Sequence, residues 1–355
     1  MALIAPPLNR AQGKVYASFA AAEATYGTAA AIDRLIEDVD IAPIVSNSEN
    51  SSSSRQLGRE GTADLSELHA WTEFSMTFPY LKPDLLMWLF AATLGSPTSA
   101  DLDTGGPYSH DFVHDDDDYA IPAFTVEEFH KSGIQNVIVG CMASRLEWSM
   151  ARSGDNRLWS ATLNVIGKKV ATGASGSGTA TAEVVEAHIK KTKYSRALAA
   201  EGSLDLGLGA DDLDTPTDFS DRLIEASGFI DNQISVENLL AFNDEGEPSR
   251  ARRNQREFGL TTKMEIADWA EVTLHHARTK RAHEFDWDSD VDAGGAFTDF
   301  GFEFVYPSTM ALGEPTVTPG DGGFLELEQE WHVHNDATDG PIVVAGYNDT
   351  AAYLA

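Results

Sequence analysis

Between Asn136 and Lys169 apolar and polar residues alternate. Ile138, Met142, Leu146, Trp148 and Met150 share one parity, and Arg145, Glu147 and Ser149 share the other. After Ser153-Gly154-Asp155-Asn156, the residues Trp159, Leu163 and Val165 alternate with Ser160, Thr162 and Asn164. Such alternation marks a pleated strand with one buried and one wet face. Gly, Asn and Asp in the break tolerate positive φ, so the pattern predicts a long hairpin. Its wet face is rich in hydroxyls, which suits a building surface better than a catalytic pocket.

The same logic recurs later. Phe229 to Asn238 reads as a strand with Ile230, Ile234 and Val236 on one side and Asp231, Gln233, Ser235 and Glu237 on the other. A polar excursion from Asn243 to Glu257 carries Arg250, Arg252, Arg253 and Arg256. The chain then returns with Leu260, Met264 and Ile266 against Thr261, Lys263 and Glu265. Two hairpins, each with one wet face, raise an internal duplication as one reading.

Other stretches frame these hairpins. Leu68 to Phe78 is a further strand. Pro83 and Asp84 suit a first helical turn and Gly95 a stop, so Lys82 to Gly95 is predicted as a helix. Being apolar nearly all round, it should be the main plug against a sheet. Residues 1–35, with Tyr16, Phe19 and Tyr26 as anchors, read as an arm that needs another surface to lie on. The Ser-rich run after Val45 reads as a mobile loop, either a plain linker or one that orders against a neighbouring subunit. The closing strands are GFEFVYPS, GFLELEQEWHVHN and GPIVVAGYN. In the middle one Glu326, Glu328, Glu330, His332 and His334 oppose Leu325, Leu327, Trp331 and Val333.

Composition narrows the function classes. In 355 residues, 56 acidic against 25 basic side chains give a formal charge of −31. Binding to free nucleic acid by phosphate neutralisation is therefore disfavoured for the surface as a whole. A saline habitat is a looser reading of the same excess. Cys141 is the single cysteine, so an internal disulfide is excluded, and its apolar neighbours predict a buried, inert thiol. The start of the chain shows no signal-peptide pattern. The run Leu85 to Leu94 falls short of the roughly 20 residues of a membrane span. Synthesis in a host cytoplasm is expected, with no membrane partner.

Candidate chemistry is sparse. His110 to Asp118 (HDFVHDDDD) reads as an acidic loop, able to chelate a cation or simply solvated. Thr172 to Thr181 is a Gly/Ser connector without a nucleophile elbow or a phosphate loop. Ile189 to Arg196 is a basic run suited to salt-bridging an acidic partner surface. Asp286, Asp288, Asp290 and Asp292 resemble the start of a calcium loop, but Val291 stands where Gly is required and Phe297 where Glu is required, so a surface acidic turn is the alternative. His332 and His334 offer two ligands without a third. Trp269, Trp287 and Trp331 read as core. No constellation supports an enzyme, and no cofactor or metal is called for.

In order and texture the chain resembles the tail tube proteins of long-tailed bacteriophages. The resemblance is carried by Glu23-Ala-Thr-Tyr26-Gly27-Thr28 near the start, Arg59-Glu60-Gly61, the apolar helix ending in Leu94-Gly95, and Phe124-Thr-Val-Glu-Glu128. It continues through Val139-Gly140-Cys141-Met142, Leu146, Asn164-Val165-Ile166-Gly167-Lys168, Phe302-Glu-Phe-Val-Tyr306-Pro307 and the strand from Phe324 to His334. The resemblance implies a mainly β fold: a β-sandwich or partial barrel with a flanking helix, closing into hexameric rings that stack into a tube. In that family two long hairpins per subunit join those of neighbours into an inner barrel, through which the tape measure protein and DNA pass. Carried onto this chain, the channel would be lined by Arg145, Glu147, Ser149, Ser160, Thr162, Asn164, Asp231, Gln233, Ser235, Glu237, Thr261, Lys263 and Glu265. Arg145 and Lys263 would moderate the field or pair with carboxylates. An acidic, hydroxylated lumen repels phosphate, so DNA slides without sticking.

The expected organisation is an arm and inter-subunit loop over 1–67, the tube domain over 68–345 with inserts near 204–220 and 241–257, and a tail over 346–355. The inserts at Ser46 to Ser54 and Leu204 to Ser220 are expected as outward decoration. Localisation would be the phage tail in the virion, beside other tail proteins. A β-sandwich adhesin or receptor-binding module holding calcium in its acidic loops is the alternative, and a carbohydrate-active enzyme a third reading.

Overall fold

The computed structural model describes residues 14–37, 39–42, 45–52, 65–102, 107–112, 119–131, 134–151, 159–168, 171–172, 190–191, 202–208, 217–218, 221–239, 249–266, 269–292, 299–320, 323–348 and 350–355. Its strands are β1 (Lys14–Ala17), β2 (Arg34–Ile36), β3 (Asp40–Ile41), β4 (Val45–Ser52), β5 (Leu65–Phe78), β6 (Thr98–Asp101), β7 (Tyr108–Phe112), β8 (Phe124–Lys131), β9 (Ile134–Ala151) and β10 (Ser160–Gly167). They continue with β11 (Ala171–Thr172), β12 (Lys190–Lys191), β13 (Gly202–Leu208), β14 (Thr217–Asp218), β15 (Leu223–Asp231), β16 (Glu257–Glu265), β17 (Arg281–Asp292), β18 (Asp299–Pro319), β19 (Leu325–Val333) and β20 (Val343–Asn348). Helix α1 spans Pro83–Leu94.

Two strands are long enough to belong to two sheets each, and this creates the layers. Along β9, Ile134 to Cys141 pairs with β8, while Met142 to Ala151 pairs with β10 and β15. Along β18, Gly301 to Val305 pairs with β20 and Thr309 to Pro319 with β19. One layer thus runs β5-β10-β9-β15-β16-β19-β18. A second runs β13-β17-β18-β20-β7-β6. A smaller sheet, β12-β2-β1-β8-β9-β11, extends the N-terminal half of β9. The result is a mainly β sandwich with a flanking helix, and its large antiparallel sheet is not closed into a barrel.

Aromatic rings fill the space between the two layers. Trp148 of β9 stands edge-on to Phe285 of β17 at 5.4 Å and to Phe304 of β18 at 4.9 Å. Trp159 meets Phe302 at 5.2 Å and Phe304 at 5.6 Å. Edge-to-face packing of this kind adds about 0.5–1.5 kcal/mol per pair beyond area burial.

Helix α1 is the predicted plug. Every residue from Pro83 to Leu94 is buried, against β7, β9, β18 and β20. Trp88 stacks on Phe19 at 4.8 Å and donates its indole N–H to the Ser18 carbonyl at 3.0 Å. Asp84 in the first turn is buried and ion-paired to Arg34 at 2.9 Å. The far end is held by Asn232 and Arg256. Asn232 donates to the carbonyls of Thr93 and Ala143 at 3.0 and 2.9 Å. Arg256 donates to those of Thr93 and Leu94 at 3.0 and 2.8 Å. A cation on the last carbonyls of a helix both satisfies them and opposes the dipole.

Several expectations change. The surface beneath Tyr16 and Phe19 belongs to the same chain, since β1 pairs with β2 and β8 and both side chains are buried. The polar run after Val45 is strand, not loop: β4 pairs with β5 from Val45↔Glu73 to Ser52↔Leu65. Backbone hydrogen bonds form a ladder whatever the side chains, which a reading of side-chain polarity misses. The stretch from Leu204 is likewise sheet rather than decoration, as β13 pairs with β17.

The strand placed at Phe229 to Asn238 lies earlier, at Leu223–Asp231. A bulge between Leu223 and Glu225 hides its alternation. Ile234 and Val236 instead follow the strand and pack against the cluster of Ile121, Met142, Ile166 and Leu239. The return strand ends at Glu265 and gives way to a helix, Trp269–His276, whose Trp269 is 63% exposed rather than core. His110 sits in β7, not in an acidic loop. Asp286 to Asp292 runs along β17, so it is neither a turn nor a calcium loop. The turn at Ser153 to Asn156, the tetra-Asp run and the inserts at 53–64 and 241–248 fall outside the described residues, as does most of the basic run at 189–196.

Candidate functional site

The first layer has one dry and one wet face, and cross-strand register decides which side chains share the wet one. Thr77, Thr162, Glu147, Phe229, Gly259 and His332 stand side by side across β5, β10, β9, β15, β16 and β19. The next row is Ser160, Ser149, Ser227, Thr261, Glu330 and Leu312, ending on β18. Beyond it come Ala151, Glu225, Lys263, Glu328 and Thr316, and then Glu265, Glu326 and Thr318. On the other side stand Ser75, Asn164, Arg145, Asp231 and Glu257. The face is concave, enclosing a groove of about 470 Å³ bordered by Arg145, Glu147, Phe229, Gly259, Glu330 and His332.

Carboxylates dominate this face, and its two cations are tied down by them. Arg145 reaches Glu147 at 2.7 Å and Asp231 at 3.3 Å. Its guanidinium lies 4.1 Å from the centre of the Phe229 ring. Lys263 contacts Glu326 at 2.7 Å, and its pKa is raised, first by that hydrogen bond and then by Glu326, Glu328 and Glu225 against the opposing effect of burial. At the groove floor Phe229 lies across Gly259, where a Cβ would collide with the ring. An aromatic over a strand glycine restores the packing that the glycine lacks. Ser149 and Ser160 share a hydrogen bond at 2.8 Å.

Of the residues singled out from sequence, Arg145, Glu147, Ser149, Ser160, Thr162, Asn164, Asp231, Thr261, Lys263 and Glu265 come together here. Gln233 and Ser235 do not belong to the strand. Gln233 has a left-handed φ of 47° just past the end of β15, and Glu237 lies in the helical turn Val236–Leu239. Sequence reasoning missed Glu225 and Ser227, because the strand was placed too late. It also left Glu326, Glu328, Glu330 and His332 unassigned, although β19 alternates strictly, with its odd-numbered residues from Leu327 to Val333 buried. Glu73, Ser75 and Thr77 of β5 carried the same signal.

The remaining chemistry is structural. Cys141 is wholly buried and its thiol pKa is pushed well up, by burial and then by nearby Glu23. His110 is buried between Ser99 at 2.8 Å and Asn348 at 3.2 Å, and these bonds tie β6, β7 and β20 together. The rings of His332 and His334 lie 4.7 Å apart. His334 has a lowered pKa, from burial first and then from His332 and Lys280. Among the described residues no group of His, Cys, Asp or Glu is arranged to hold a metal ion.

The scattered signature pieces meet at one point. Glu23 accepts hydrogen bonds from the Gly27 and Gly140 N–H groups at 2.7 and 2.8 Å and from the Thr125 hydroxyl at 2.8 Å. Burial raises its pKa although these donors oppose the rise. Gly140 has φ 62°, and a Cβ there would stand 2.9 Å from the Tyr26 ring. The Lys168 ammonium lies 5.3 Å from the centre of the same ring. Glu23-Ala-Thr-Tyr26-Gly27, Val139-Gly140 and Gly167-Lys168 are thus a single clamp, set where β9 leaves one sheet for another.

No curated protein matches this chain significantly. A family model described as phage tail tube protein matches residues 17–333, from β1 to the end of β19. That match takes in the sandwich, the clamp and the whole of the acidic wet face, and the chain belongs to the phage tail tube protein family.

Proposed function

We propose that the wet face of the first layer is the inner wall of the tail tube, with copies of the chain closing into hexameric rings that stack. The family match makes the protein a structural component of the virion tail. The observation that carries the finer reading is the charge of the face. Glu73, Glu147, Glu225, Asp231, Glu257, Glu265, Glu326, Glu328 and Glu330 share it with Arg145 and Lys263, both of them ion-paired. Such a wall repels a polyanion, so DNA and the tape measure protein pass along it without being trapped, whereas a basic wall would hold DNA by counterion release. Ring closure also accounts for a layer whose rows of open backbone would otherwise invite aggregation.

In this reading the lining consists of Arg145, Glu147, Ser149, Ser160, Thr162, Asn164, Asp231, Thr261, Lys263 and Glu265, to which Glu225, Ser227, Glu328 and Glu330 are added. Gln233, Ser235 and Glu237 sit at the rim, past the end of β15. Electron microscopy of the purified chain should show rings and tubes. Replacing Glu225, Glu328 and Glu330 together by Lys should leave tubes intact and slow DNA ejection. Ejection at the unaltered rate from such particles would remove the lumen assignment.

A further inference from the structure

The two ends of the first layer are unlike each other. One end is marked by the close of β16 and the β18–β19 turn, where Glu265 pairs with Glu326 and Pro319 with Leu325. The Ile266 N–H donates to the Leu325 carbonyl at 2.9 Å, which brings the helix Trp269–His276 to this turn. Buried Val272 anchors that helix, yet Trp269 one turn earlier is 63% exposed. Phe324 and Leu325 in the turn are 60% and 39% exposed. Most of the large exposed apolar side chains among the described residues therefore sit at this one end.

At the other end a strand pair leaves the sheet. The pairing of β10 with β5 stops at Gly167↔Thr72, but β5 extends back to Leu65 and β4 follows it out to Ser52. Leu65 to Trp71 spans about 23 Å at strand rise. Among the described strands, this outer part of β5 pairs with β4 alone and β4 with β5 alone. A two-stranded hairpin is marginal in water without a surface beneath it.

We propose that the β4–β5 arm of one copy packs on the Trp269–Phe324–Leu325 patch of a second copy stacked upon it. The inference rests on the tube reading and deepens it by naming the contact between successive rings. Projection from one end and an uncovered apolar patch at the opposite end form a heterologous, head-to-tail pair, which propagates a stack without limit. Aromatic anchors at the centre of such a contact carry most of its energy.

The test uses the full chain with Trp269, Phe324 and Leu325 all changed to Ser, alongside F324S alone, whose site is a solvent-facing turn. Rings should form with an unaltered thermal melt, while the concentration at which tubes appear rises about 10-fold or more. A second readout pairs Ser51→Cys with Phe324→Cys, since buried Cys141 stays silent. Oxidation should link successive copies in tubes, and a Ser51→Cys, Ser160→Cys pair should not link. If wild-type chain makes tubes and the triple variant makes them equally well without the cross-link, the inference falls and the tube reading stands. If the triple variant fails to form rings, the patch is a lateral contact and the inference falls. If wild-type chain never assembles, both fall.

Discussion

Replacing Arg256 by Ala probes how helix and wall are coupled. The guanidinium is almost fully buried and donates to the Thr93 and Leu94 carbonyls and, at 2.8 Å, to the Asn232 amide oxygen. Hydrogen bonds to a charged group contribute about 1.5–3 kcal/mol each, and the carbonyls left behind keep part of their desolvation cost. Losing the cation also removes about 0.3–1 kcal/mol of favourable interaction with the helix dipole. Allowing for water entering the space, the expected loss is about 3–4 kcal/mol, a large share of a typical domain stability. Urea unfolding of the unassembled subunit, followed by tryptophan fluorescence, measures it. Asn232→Ala and the double variant complete a cycle, in which a coupling of about 1 kcal/mol or more is expected between side chains in direct contact. Because Asn232 and Arg256 flank the link between β15 and β16, the same variant should loosen that hairpin and impair assembly. A loss below about 1 kcal/mol, or a coupling near zero, would refute the capping argument.

Two further outcomes follow from the geometry. Gly259→Val drives a side chain into the Phe229 ring, so stability should fall by about 1–3 kcal/mol, and adding Phe229→Ala should recover part of it; equal stabilities in a denaturant titration would contradict the packing. Glu23 has a raised folded pKa, from burial first, so its ionisation costs more in the folded chain than in the unfolded one. The stability it supports is full below the unfolded value of about 4.3 and is lost as pH climbs through the folded value. The stability of wild type minus that of Glu23→Gln should therefore decline from pH 4 towards neutrality, and a flat or rising difference in urea titrations would show the sign to be wrong.

Side-chain periodicity made the first hairpin legible residue by residue. Leu146, Trp148 and Leu163 had to be buried and Glu147 and Thr162 wet, because water sorts the faces of a pleated strand locally. The same rule exposed α1, whose residues are apolar on every side and could only be interior. It failed where local pattern and backbone pairing part company. The ladder of β4 on β5 is written in main-chain groups that every residue carries. The bulge in β15 shifted the parity and moved the apparent strand onto Ile234 and Val236, whose burial comes from a separate cluster.

The wall itself lies beyond any single-strand reading. Alternation says that Glu147, Thr261 and Glu330 are wet, and it says so for each alone. That β9, β15, β16 and β19 lie side by side, so that their wet faces form one acidic surface, follows from long-range register. The convergence of Glu23, Gly140 and Lys168 on one clamp likewise depends on a carboxylate meeting backbone N–H groups more than a hundred residues away. The chain by itself thus determined which face of each element shuns water, since that is a property of neighbouring residues. Only the tertiary structure decided which of those faces are shared, because strand partners are chosen by the global packing around α1.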